Sequence, residues 1–138
     1  MMANRKVLLA EDDSDDREIF SDIFQSMDEE AELKMVENGM EIITLLEAIT
    51  DPSDLPDLIV LDQNMPKMTG KQTLEWLKLN DRYAHIPVII FSTYSDDRLI
   101  TECSRIGAAL VITKPCSFDE YEQMVNDFFA EIVEPKKN

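Results

Sequence analysis

Basic side chains are scarce in this sequence: 13 lysines and arginines stand against 29 aspartates and glutamates, a formal net charge of -16 over 138 residues. Such a field repels a phosphate backbone, which argues against direct nucleic-acid binding. Cysteine is scarce as well. Cys103 and Cys116 are the only two, and neither has a partner at metal-ligand spacing. A chain of this size with a good core needs no disulfide, so reduced thiols in a cytosol are expected. No apolar run approaches the roughly 20 residues that span a bilayer, and the opening MMANRK is too short and polar for a signal peptide. The expectation is a soluble, cytoplasmic protein with no membrane partner. Internal repeats and low-complexity segments are also missing.

The hydrophobic content is 44%, which at this length suits one domain over residues 1–138, with its core from about 6 to 133. Short apolar runs rich in β-branched residues, KVLLA at Lys6 to Ala10, LIVL at Leu58 to Leu61, VIIF at Val88 to Phe91 and ALVIT at Ala109 to Thr113, read as strands buried on both faces. A weaker run, ELKMV at Glu32 to Val36, reads as an edge strand. Helical spacing lies between them. It shows in Ile19, Phe20, Ile23, Phe24 and Met27, in Ile42, Leu45, Leu46 and Ile49, in Leu74, Trp76, Leu77 and Leu79, and in Leu99, Ile100, Cys103 and Ile106. A last helix opens at SFDE, where Ser117 and Glu120 make a capping box, and continues through Met124, Val125, Phe128 and Phe129. Strand and helix alternate about five times. The fold class expected is therefore α/β, a doubly wound parallel sheet of five strands with helices on both faces.

In such a sheet, ligands bind beyond the carboxyl ends of the strands, where the strand order reverses. Every strong strand here ends in polar residues: Glu11, Asp12 and Asp13 after the first, Asp62 after the third, Ser92 and Thr93 after the fourth, Lys114 after the fifth. Any one of these is ordinary, because an acid after a strand usually caps the next helix. Four sets at one rim carry more weight. Adjacent first and third strands would bring Asp12 near Asp62, and crowded carboxylates must hold a proton or bind a cation, with Mg²⁺ the best match. Asp15 and Asp16 fall in the first helical turn, where they favour the positive end of the helix dipole.

The acidic cluster, LIVLDQNMPKMTG around the third strand, the hydroxyl in VIIFST and the TKP after the fifth strand together resemble the receiver domain of response regulators, the CheY-like family. The resemblance runs from about Lys6 to about Val133 and implies a flavodoxin-like three-layer sandwich with strand order 2-1-3-4-5. It implies that Asp62 is the phosphoacceptor, taking a phosphoryl group from a sensor histidine kinase or phosphotransfer protein. By the same resemblance, Asp12, Asp62 and the backbone carbonyl of Asn64 would bind Mg²⁺, Glu11 would hold it through water, and Asp13 ranks below these. Lys114 would meet the phosphoryl oxygens and Ser92 would hydrogen-bond the attached group. Met65, Pro66 and Gly70 would shape the loop that exposes Asp62. The bond from Lys114 to Pro115 resembles one that is cis in the family, which would aim the ammonium inward.

The sequence departs from the family pattern at Val111, where receivers have Tyr or Phe, so the relay that depends on an aromatic ring turning inward is not expected. Other classes fit less well. A haloacid-dehalogenase phosphatase needs a second Asp two residues after its nucleophile, and Asn64 stands there. A dinucleotide- or flavin-binding module needs a phosphate-cradling loop after the first strand, and EDDSDD has no glycine. A phosphorylation-independent binding module would have lost the acceptor, the lysine or the acids, and all are present. Beside the Asp62 site, Asn64 would orient a hydrolytic water and the Tyr94 ring would lean over and shield it. After the last helix only EPKKN follows, so the signal is expected to leave by protein contact with a downstream target. EDDSDD followed by REIF is similar to a stand-alone subgroup that includes partners of bacterial phytochromes.

Overall fold

The computed structural model describes residues 5–27, 31–94 and 96–133. Among them, five strands and five α-helices alternate in the expected order: β1 (Arg5–Ala10), α1 (Ser14–Met27), β2 (Ala31–Val36), α2 (Gly39–Glu47), β3 (Leu58–Asp62), α3 (Gly70–Lys78), β4 (Val88–Ser92), α4 (Asp97–Ile106), β5 (Leu110–Thr113) and α5 (Phe118–Val133). The strands form one parallel sheet in the order β2-β1-β3-β4-β5. The direction of winding reverses between β1 and β3, which opens the crevice at their carboxyl ends.

Alternation along each strand splits the core into two layers. Val7, Leu9, Leu58, Val60, Ile89 and Phe91 face α1 and α5, where they meet Phe20, Ile23, Tyr121, Val125 and Phe128. The next residues, Leu8, Ala10, Ile59, Leu61, Val88 and Ile90, face α2, α3 and α4. Phe20 ties α1 to both β4 and α5, with its ring 5.5 Å from those of Phe91 and Tyr121, edge-on in each case. Each fully buried side chain of this size contributes on the order of 1.5–3 kcal/mol.

Local chemistry sets the helix starts. Asn38 caps α2, Asp96 caps α4, and Thr69 with Gln72 closes a full capping box on α3. At α5 the expected box is half made. Ser117 accepts from Glu120 N, but the Glu120 carboxylate accepts from Cys116 N, one residue earlier.

Three expectations change. β5 is only half-buried, because it is an edge strand with β4 as its one neighbour, whereas the sequence pattern reads as buried on both faces. Leu79 is not on the buried stripe of α3: it is the C-cap and 87% exposed. Ile100 of α4 is also exposed. Cys103 is buried and Cys116 exposed, both as free thiols. The side chains of Met27 and Phe129, expected on the inward stripes, and the EPKKN tail lie outside the described residues. No helix among the described residues is long and apolar enough to cross a membrane.

Candidate functional site

The parallel register brings the expected residues to one rim. Asp62 ends β3 opposite Phe91, Ser92 ends β4 opposite Thr113, and Glu11 follows β1, held by its N–H to Val36 O at 3.0 Å. Glu11 and Asp62 are buried while Asp12 is exposed, and one carboxylate oxygen from each lies within 4.8 Å of the other two. Arg17 fastens the turn by donating from Nη1 to Glu11 O at 2.8 Å. Asp13 stays outside the cluster. Its Oδ1 accepts from Asp15 N at 2.8 Å and Asp16 N at 3.3 Å, the work of an α1 N-cap.

Crowding has an electrostatic consequence. Burial first, and then the neighbouring Asp62 carboxylate, push the Glu11 pKa up to about 8. Burial raises Asp62 as well, against opposing contributions from Glu11, the Asn64 N–H and Lys114. Glu11 Oε2 accepts from Asp13 N at 3.0 Å, whereas the buried Oε1 has no hydrogen-bond partner although Lys114 Nζ stands 3.1 Å away. Hard oxygens this close, two of the three carboxyl groups being buried, fit a divalent cation better than they fit each other. Asn64 donates its N–H to Asp62 Oδ1 at 3.1 Å, which orients the carboxylate.

Lys114 enters from the far side. Its backbone N–H bonds Ser92 O at 2.7 Å, extending the β5 ladder by one residue and keeping the side chain on the rim. No peptide bond among the described residues is cis, so the bond from Lys114 to Pro115 is trans, a correction to the resemblance. The ammonium still turns inward. It lies 3.5 Å from Asp62 Oδ2 and 5.2 Å from the centre of the Phe91 ring, a face that favours a cation. Burial alone would lower the pKa of Lys114, but the Asp16 hydrogen bond and the charges of Glu11 and Asp62 outweigh it and raise it.

Asp16 is the residue that the sequence pattern does not single out. Beyond its dipole position it accepts from Lys114 Nζ at 3.0 Å through Oδ2 and from the Tyr121 hydroxyl at 3.2 Å through Oδ1. One signal was available: Tyr121 shares the inward stripe of α5 with Met124, Val125 and Phe128, and a buried phenol needs a polar partner.

The remaining side of the site is the hydroxyl. Ser92 is buried, and its Oγ has two acceptors for one proton, Asn64 Oδ1 at 3.1 Å and Tyr94 O at 2.8 Å. Tyr94 itself is 78% exposed, so its ring does not cover the carboxylate as expected. Thr93 is exposed too. Val111 is half-buried against the α2, α3 and α4 layer and has no ring to turn. In the loop after Asp62, Met65 is buried, Lys67 adopts φ 69°, and Gly70 N bonds Gln63 O at 3.2 Å. A left-handed lysine is uncommon, and such backbone clusters beside functional groups.

An oriented, buried carboxylate, a cation-fitting acid pair, an ammonium and a hydroxyl form a set able to take up a phosphoryl group. The model of the response regulator receiver domain matches residues 7–126. The chain is 28% identical to the sporulation initiation phosphotransferase F of Bacillus subtilis over 127 residues, covering 92% of this chain and 95% of that protein. It is 30% identical to a two-component response regulator of Oryza sativa subsp. japonica over 125 residues, covering 91% and 98%. Among solved structures, the phosphorylated cyanobacterial phytochrome response regulator RcpA superposes with a TM-score of 0.85 at 26% identity, covering 98% of both chains. Receiver domains bind a divalent metal and interact with histidine kinases or phosphotransfer proteins, and the stand-alone ones are generally not enzymes. This chain belongs to the receiver-domain family of two-component response regulators.

Proposed function

We propose that this protein is an active, cytoplasmic receiver that takes a phosphoryl group on Asp62 from a sensor histidine kinase or phosphotransfer protein and signals by protein contact. The observation that carries the reading is the buried Asp62 carboxylate with Lys114 Nζ 3.5 Å from Oδ2. Its similarity to RcpA supports a kinase of the phytochrome type as donor. In the transfer, an Asp62 oxygen attacks phosphorus, the bond from phosphorus to the donor imidazole breaks, and the imidazole nitrogen leaves with the electron pair. Lys114 meets negative charge on the phosphoryl oxygens, and Ser92 turns its single proton from Asn64 and Tyr94 to one of them. Asp12, Asp62 and the Asn64 carbonyl would hold Mg²⁺, with Glu11 through water. Bound there, the ion would neutralise the acid cluster and the phosphoryl charge.

Acetyl phosphate with Mg²⁺, followed by intact mass, tests the reading. Wild type is expected to gain one phosphoryl group and Asp62→Asn none, because the amide lacks the attacking oxygen anion. Labelling of Asp62→Asn at the wild-type rate would move the acceptor elsewhere.

A further inference from the structure

The ammonium of Lys114 faces three carboxylates, and its nearest oxygen belongs to none of the strand ends. Nζ stands 3.0 Å from Asp16 Oδ2, 3.1 Å from Glu11 Oε1 and 3.5 Å from Asp62 Oδ2. Asp16 belongs to the first turn of α1, and it is not a loose surface acid. The Tyr121 hydroxyl of α5 donates to its other oxygen at 3.2 Å, and the Tyr121 ring is buried edge-on against Phe20. The carboxylate is thus fixed at two points, on a pair side chain-exposed by only 13% for Lys114 and 21% for Asp16.

An ammonium has three protons, and here each has a carboxylate within reach. A phosphoryl group on Asp62 adds new acceptor oxygens, so any proton turned towards them is withdrawn from a present partner. The geometry points to Asp16, held by Tyr121, as a positioning residue that competes with the phosphoryl group for Lys114 and so limits how much of the protein stays phosphorylated. This inference rests on Asp62 being the acceptor. It also gives phosphorylation a mechanical outlet. When Lys114 leaves Asp16, the ion pair anchoring α1 to the rim is lost, and the change reaches α5 through Tyr121. Val111 has no ring with which to relay the change along β5.

The test measures the ratio of phosphorylated to unphosphorylated protein by intact mass, at subsaturating acetyl phosphate and saturating Mg²⁺. Wild type, Asp16→Asn, Asp16→Glu and Tyr121→Phe are compared. Asp16→Asn is expected to raise the ratio about threefold to fivefold, the worth of one partly exposed ion pair. Tyr121→Phe is expected to move it the same way by less, and Asp16→Glu, which restores the charge, to return it towards wild type. A role confined to the helix dipole would lower the melting temperature of Asp16→Asn without raising the ratio, and that result overturns the inference. An equal or lower ratio in Asp16→Asn, with wild type labelled on Asp62, overturns the inference and leaves the receiver reading standing. If wild type takes no label, the receiver reading fails and the inference with it.

Discussion

Gly70 lies against the backbone of Asp62: a β-carbon added to it would stand 2.8 Å from the Asp62 carbonyl oxygen and 3.0 Å from the Gln63 α-carbon. Both atoms are main chain, so neither can swing aside as a side chain would. Gly70→Ala is therefore expected to displace the loop that begins at the acceptor. Overpacking of this kind costs about 1–3 kcal/mol. Thermal unfolding measures that loss, and acetyl phosphate labelling should slow in parallel because Asn64 N no longer orients Asp62. A variant with wild-type stability and labelling rate would mean that the loop absorbs the methyl group freely.

The raised pKa of Glu11 has a pH signature. Its folded value of about 8 exceeds its ordinary 4.5, so the native state holds the proton where the unfolded chain releases it. The stability contribution is whole below about 4.5 and is lost as pH rises through about 8. Lys114 adds no slope in that window, since its pKa is raised from an already high 10.5. The large negative net charge slopes the same way, so the diagnostic is the difference from Glu11→Gln, which should be flatter by an amount on the order of a few kcal/mol. Protons and Mg²⁺ compete for the same oxygens. Mg²⁺ should raise the melting temperature more at pH 8.5 than at pH 5.5, and Asp12→Ala should abolish that gain, with calorimetry as the direct check. Trp76 is a poor reporter, since it stacks on Tyr83 towards the far end of α3 from Gly70.

Exposure of the Tyr94 ring removes the basis for expecting it to shield the phosphoryl group. Tyr94→Ala should leave the decay of labelled protein, after removal of acetyl phosphate, within about twofold of wild type, the range of a surface substitution. What Tyr94 supplies is main chain, a carbonyl acceptor and an N–H donor to Ser92 Oγ, and both survive in alanine. A much faster decay in the mutant would restore the shielding role.

The sequence alone determined the alternation of strands and helices and most of the site, because each follows from local spacing. Buried parallel strands are short β-branched runs, and the polar residue at each run's end must emerge at the same rim whatever the details of packing. Asp62, Glu11, Asp12, Ser92 and Lys114 were legible for that reason. Only the tertiary structure decided which oxygens Lys114 meets. Asp16 is 98 residues from Lys114 and 105 from Tyr121 along the chain, so no local period connects them. Side-chain direction was equally hidden. Tyr94 points out and Leu79 leaves its stripe because a loop turn and a helix end, respectively, redirect the backbone there. The half-burial of β5 depends on its position at the edge of the sheet, which the pairing of strands sets and the apolar run ALVIT cannot express.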